Sequence, residues 1–200
     1  HIKMSGCVGY AIEVDAERVE LDSLSIAYSE NGLRLSRVRE DLILDSMNFN
    51  EISDIGLKVE SCRQVTLKNS EFKAVKRGVV SDTEFYEDLL KIDNFDLRCS
   101  EVGISGVLGQ SIIKNVLIVC PDGHGINIAK ALHGSENYID HCTIDAKNGI
   151  ELASGSLIIE NNIIFNRREI GNIGINNTDI LVPTYNFNNI YGFTARYQGC

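Results

Sequence analysis

The chain is short of several things that would have pointed to other protein classes. Proline occurs twice in 200 residues. No apolar run approaches the roughly 20 residues that a membrane-spanning helix needs, so no membrane span is expected. No C-x-x-C pair is present, which argues against a zinc ribbon. Positive charge is in deficit: 19 Lys and Arg stand against 28 Asp and Glu, for a net charge of −9. That balance argues against nucleic acid as a partner, because phosphate binding draws on clustered Lys and Arg. Helical periodicity is missing too. No window places apolar residues at i, i+3, i+4 and i+7 over ten or more positions. The L-x-x-L-x-L frame of a leucine-rich repeat is also absent. No signal peptide is visible, and the chain opens at His1, as expected of a mature or excised piece.

What is present is ordinary in amount and unusual in arrangement. Apolar residues make up 44% and charged residues 24%, spread evenly enough for one domain with a real core and against disorder. Glycine is abundant at 17 residues, and there are six cysteines. A glycine followed by an apolar residue recurs as Gly32-Leu33, Gly56-Leu57, Gly78-Val79, Gly103-Ile104, Gly125-Ile126, Gly149-Ile150 and Gly174-Ile175, with Ala11-Ile12 as a degenerate copy. The period is about 22–25 residues, within the range of solenoid repeats. Before each glycine comes a second signature, such as Leu67-Asn69-Phe72, Ile92-Asn94-Leu97 and Ile139-His141-Ile144.

Each unit thus holds three short alternating segments, too short for helices and suited to strands. The spacing predicts an all-β, single-stranded, right-handed parallel β-helix of about eight coils with three short strands per coil. It would form one domain over 1–200, continuing beyond both ends, since no cap is apparent and open parallel edges invite pairing. Three inward stacks are predicted. The first-strand stack runs Ile12, Leu33, Leu57, Val79, Ile104, Ile126, Ile150, Ile175. The second runs Met4, Leu21, Leu44, Leu67, Ile92, Ile113, Ile139, Ile159. The third runs Ile26, Phe49, Phe72, Leu97, Ile118, Ile144, Ile164. Asn, Ser or His at the turn between second and third strands is expected to form a polar ladder bonded to the backbone of neighbouring turns. The repeated glycine is expected to permit a sharp bend. Cys99 and Cys120 share one register position in adjacent coils, as a disulfide or, preferably, as stacked thiols.

The outward first-strand positions are Glu13, Arg34, Lys58, Val80, Ser105, Asn127, Glu151 and Asn176. The C-terminal part of this row is rich in oxygen, and Asp145, expected in the loop before Glu151, supplies a further carboxylate. Calcium takes six to eight oxygens; a merely solvated strand face is the plainer reading. His124 reads as a loop residue and His141 as a member of the turn ladder. Lys73, Lys76 and Arg77 form a basic loop, able to hold a uronate but more simply salt-bridged. Tyr185, Tyr191, Phe193 and Tyr197 either stack on sugar rings or pack the last coils.

Tyr138-Ile139-Asp140-His141-Cys142 resembles the W-I-D-H-C stretch of pectate lyases, parallel β-helix enzymes that cleave polygalacturonate by calcium-assisted β-elimination. The resemblance runs from Tyr138 to the end of the chain. It implies Glu151 as a calcium ligand, beside which Asp145 is the candidate from the residues themselves, and Arg196, in Ala195-Arg196, as the base that removes the proton α to the uronate carboxylate. It implies Arg167 or Arg168 as a basic substrate contact; Asn127 and Asn176 of the outward row and Tyr197 of the aromatic cluster are the further candidate substrate contacts. The sequence departs from the family at Tyr138, where Trp is usual, and lacks the second acid before Glu151, where Lys147 and Asn148 stand. Asp122-Gly123-His124-Gly125-Ile126 is similar to the G-H-G-I motif of polygalacturonases, but the acids that those hydrolases need are missing at Arg77-Gly78 and Val102-Gly103. The expectation is therefore a carbohydrate-directed β-helix, extracellular or at the cell surface, with a polysaccharide partner and a lyase-type activity. The rival expectation is a non-catalytic segment of an adhesin, stalk or phage fibre.

Overall fold

A computed structural model describes residues 2–132, 137–168, 171–178 and 184–198. Among these residues there is no helix. The strands form one continuous parallel sheet wound into a β-solenoid of about eight turns.

Register bears out most of the inward stacks. The first-strand stack runs unbroken through the pairs Ile12–Leu33, Leu33–Leu57, Leu57–Val79, Val79–Ile104, Ile104–Ile126, Ile126–Ile150 and Ile150–Ile175. The third-strand stack is equally regular from Ile26 through Phe49, Phe72, Leu97, Ile118 and Ile144 to Ile164. Parallel strands at about 4.8 Å spacing set like residues over like, so each stack is a continuous apolar rod. Phe49 and Phe72 lie ring on ring at 4.3 Å, and Phe95 meets Phe72 edge-on at 4.8 Å.

Met4 departs from its predicted stack. It pairs with Ile26 and so extends the third-strand stack rather than the second. The two stacks lie five residues apart in every complete coil, and the first coil has Gly9, not an apolar residue, five positions after Met4 to fix the phase.

The strands are also longer than predicted. Gln64–Asp82, Leu89–Leu108 and Gln110–Ala131 each run through all three faces of a coil, with register shifts at the corners instead of loops. The basic segment Lys73, Lys76 and Arg77 therefore lies within a strand. Its charges are paired to Glu71, Glu101 and Asp54, at 2.7, 3.3 and 2.7 Å.

The turn ladder forms, by a different chemistry from that expected. Ser23, Ser46, Asn69, Asn94, Asn115, His141 and Asn161 all have φ between 49° and 58°, the left-handed conformation that Asn tolerates better than most residues. The asparagines among them bond side chains of the coil before: Asn69 Nδ2 donates to Asp45, Asn94 Nδ2 to Asn69, Asn115 Nδ2 to Asp93 and Asn161 Nδ2 to Asp140, all within 2.8–3.0 Å, whereas Ser23, Ser46 and His141 each bond the Asp just before them. Backbone bonding falls to the next, inward residue. Asn162 and Asn188 donate to the carbonyls of Ile139 and Ile159.

The glycine column has another cause than the one inferred from sequence. None of its members lies in the left-handed region. A Cβ on Gly78 would stand 2.5 Å from both Gly103 O and Leu97 Cδ2. The position excludes a side chain because two backbones and a core residue meet there.

Candidate functional site

Past the charged N-terminal coils, the outward first-strand row opens into a small pocket with polar side chains at its wall. Three consecutive coils build it. His124 pairs in register with Asn148, and Asn148 with Ile173; Asn127 pairs with Glu151, and Glu151 with Asn176. The corner at Gly149 lets Asn148 and Glu151 face the same space. The pocket measures about 190 Å³ and is lined by His124, Asn148, Ile150, Glu151, Asn172, Ile173 and Asn176.

Inside it, His124 Nδ1 stands 3.1 Å from Glu151 Oε2. The ring N–H is not aimed to donate, so Nδ1 is shielded from solvent without a hydrogen bond. His124 Nε2 lies 3.4 Å from the Asn148 amide nitrogen. Asn176 Nδ2 donates to Glu151 Oε1 at 3.4 Å, and its own Oδ1 is shielded and unpaired. Shielded polar atoms without partners are uncommon in folded proteins and mark places where a ligand group can supply the missing bond.

The structure brings together only some of the residues predicted for a site. Glu151 and Asn176 line the pocket, and Asn127 adjoins them in the same row. Asp145 does not join them. It lies in the strand Thr143–Leu152, not in a loop, and its side chain is 1% exposed. Its carboxylate accepts from the Arg167 backbone N–H at 3.2 Å and from the Arg167 guanidinium. Arg168 is paired to Asp122.

Arg196 is exposed on the strand Phe193–Gln198. Its carbonyl lies against Gly174, so it continues the glycine column, and Gln198 takes the row position beside Asn176. Tyr197 pairs with Ile175 and so falls on the inward first-strand stack, where its ring meets Tyr185 at 5.4 Å. Tyr185 and Phe193 pack against the core and Tyr191 stacks on Phe165 at 5.4 Å. Tyr185 and Phe193 thus pack the last coils, while Tyr191 and Tyr197 stay exposed, at 47% and 43%.

His124 is the pocket residue that sequence reasoning misplaced. It lies in the strand Gln110–Ala131, not in a loop. The usable signal was its spacing of 24 residues from Asn148, one coil of the repeat.

The residues implied for calcium do not fit it. Calcium takes six to eight oxygens, usually several of them carboxylate. Asp145 is committed to Arg167, and the pocket offers Glu151 alone beside an imidazole. Among the described residues no group of three or more His, Cys, Asp or Glu converges on a metal position.

A second concavity, of about 550 Å³, lies at the corner after the third strand. Its floor includes Ile52, Val75, Cys99 and Val119, and Lys76 and Arg98 stand at its rim. Both cations there have carboxylate partners, Glu101 and Asp96. Cys99 and Cys120 are both buried free thiols, in keeping with stacking and not with a disulfide; Cys7, Cys62 and Cys142 are thiols too, and Cys200 lies outside the described residues.

No family model, curated protein or solved structure matches the chain. The likeness to pectate lyases therefore stands on its short motif alone, and the site has to be judged on its own chemistry.

Proposed function

We propose that this chain is a carbohydrate-directed β-solenoid that holds one sugar unit of a polysaccharide on the C-terminal part of its outward first-strand row. The observation that supports this reading is the convergence of His124, Asn148, Glu151, Asn172 and Asn176 on one pocket, with two shielded polar atoms, His124 Nδ1 and Asn176 Oδ1, that make no hydrogen bond. Amide, carboxylate and imidazole groups are hydrogen-bonding partners for hydroxyls. A groove along a solenoid side suits an extended polymer, with successive coils offering successive contacts. A polysaccharide ligand goes with a place of action outside the cell or at its surface, and that location is part of the proposal.

Calcium-assisted β-elimination gains little from this arrangement, because Asp145 and Glu151 serve different neighbours. We assign no step to Arg196, which does not line the pocket. A non-catalytic spacer is the second reading, and the N-terminal coils favour it. There the outward row is closed by ion pairs: Arg34 bonds Glu60 at 2.6 Å and also pairs Glu13, while Lys58 pairs Glu60.

The test is calorimetric titration of the chain with a panel of polysaccharide fragments. Glu151→Ala and Asn176→Ala are expected to weaken binding at least tenfold, the effect of losing a buried hydrogen bond to a charged or shielded group. An intact, folded chain that binds no member of the panel would refute the reading.

A further inference from the structure

We infer that the pocket selects a neutral saccharide that presents neighbouring hydroxyls, and rejects uronates. This rests on the carbohydrate reading above and names the ligand class of the same pocket. Two independent features carry it: charge, and the balance of donors and acceptors.

The lining contains one acid, Glu151, and neither Lys nor Arg. Arg167 and Arg168, the cations expected to greet a uronate, are held by Asp145 and Asp122. A ligand carboxylate entering a half-buried pocket beside Glu151 meets a like charge, and the lining offers no Lys or Arg to offset it; such juxtapositions are strongly selective against the wrong partner.

The bonding inventory points the same way. Asn176 Nδ2 is turned towards Glu151. That fixes the amide orientation and leaves Oδ1 as an acceptor without a donor. Glu151 supplies further acceptors. A carboxylate ligand offers only acceptors, whereas a hydroxyl donates and accepts. Asn176 and Glu151 sit on adjacent coils, about 4.8 Å apart along the solenoid, where two neighbouring hydroxyls of one ring can each donate. A hydroxyl also pairs with His124 Nδ1 in either tautomer, because it can serve as the partner of an N–H or of a lone pair. The space, about 190 Å³, is below the roughly 300 Å³ of ordinary small-molecule sites. It takes one ring, or the edge of one, with the rest of a chain outside.

The experiment compares matched pairs, a neutral oligosaccharide and its uronate counterpart, by calorimetry with the intact chain at low salt and with a chelator present. The neutral member is expected to bind at least tenfold more tightly. Glu151→Gln is expected to shrink that ratio, and Asn176→Asp to widen it. Tighter binding of the uronate, a ratio that neither variant moves, or binding that appears only when the chelator is replaced by calcium would each overturn the inference while leaving carbohydrate binding intact. Failure of every neutral and uronate sugar to bind would remove the carbohydrate reading itself, and this inference with it.

Discussion

Replacing Gly78 by Ala tests why glycine recurs once per coil. In a position with room to spare, this change reduces the freedom of the unfolded chain and stabilises by about 0.4–1 kcal/mol. Gly78 has no left-handed φ to forbid Ala. The added Cβ, however, would lie 2.5 Å from Gly103 O and 2.5 Å from Leu97 Cδ2, roughly 1 Å inside the best separation for such atoms. Leu97 can turn slightly; the carbonyl, fixed in the ladder of the next coil, cannot. Overpacking of this kind costs about 1–3 kcal/mol, so the net expectation is a loss of about 1–2 kcal/mol. Urea denaturation followed by circular dichroism reads it directly. With a slope of about 2 kcal/mol per molar, the midpoint should fall by roughly 0.5–1 M. A midpoint that stays or rises would show that the coils have slack at this column, and that close backbone approach is not what the glycine serves.

Further expectations follow from the ladder, the acids and the thiols. Asn69→Ala removes the bonds to Asp45 and Asn94 and leaves Ala at φ 49°; it should cost about 1–2 kcal/mol, and Asn69→Gly less, both measurable by urea midpoint. Burial works against the charge of Glu60, but hydrogen bonds from Lys58 and Arg34 outweigh it and hold the carboxyl below its usual range. Because the folded-state value is depressed, this stabilisation is present above the unfolded carboxylate range near pH 4 and is lost as pH falls through the folded value. Glu60→Gln should therefore flatten stability against pH on the acid side, in denaturation series run from pH 6 to pH 3. Burial pushes the Cys142 thiol up to about 12, and a thiol that stays protonated does not alkylate. At pH 8 a maleimide should label Cys7 rapidly and Cys142 only on unfolding, by peptide mass mapping.

The rhythm of the chain was legible because a solenoid writes its register into the sequence. One coil is one period, so Ile126, Ile150 and Ile175 could be aligned without coordinates. The same logic failed at Met4, where no apolar partner five residues away told the two stacks apart. Chemistry across coils was less legible. The burial of Asp145 depends on Arg167, 22 residues later, folding back over it, and nothing in either local sequence announces the pair. The glycine column was recognised but misread, since a sequence does not say whether glycine serves backbone rotation or close contact. The pocket was half found. Glu151 and Asn176 stand out by their row, whereas His124, without the acids that its motif requires at Arg77-Gly78 and Val102-Gly103, reads as a loop residue unless its alignment with Asn148 is used. Tyr197, named as a sugar contact, takes the register position after Ile175 and keeps its ring partly exposed there.

The central claim is that ligand recognition belongs to the pocket between His124 and Asn176. It is tested most directly by mapping amide chemical shifts of the labelled chain as a neutral oligosaccharide is added. Saturable shifts at Asn148, Glu151 and Asn176, with the charged coils from Glu13 to Lys58 unmoved, are the predicted result. Shifts confined to the groove at Val75 and Arg98, or none at all at saturating sugar, would contradict the account.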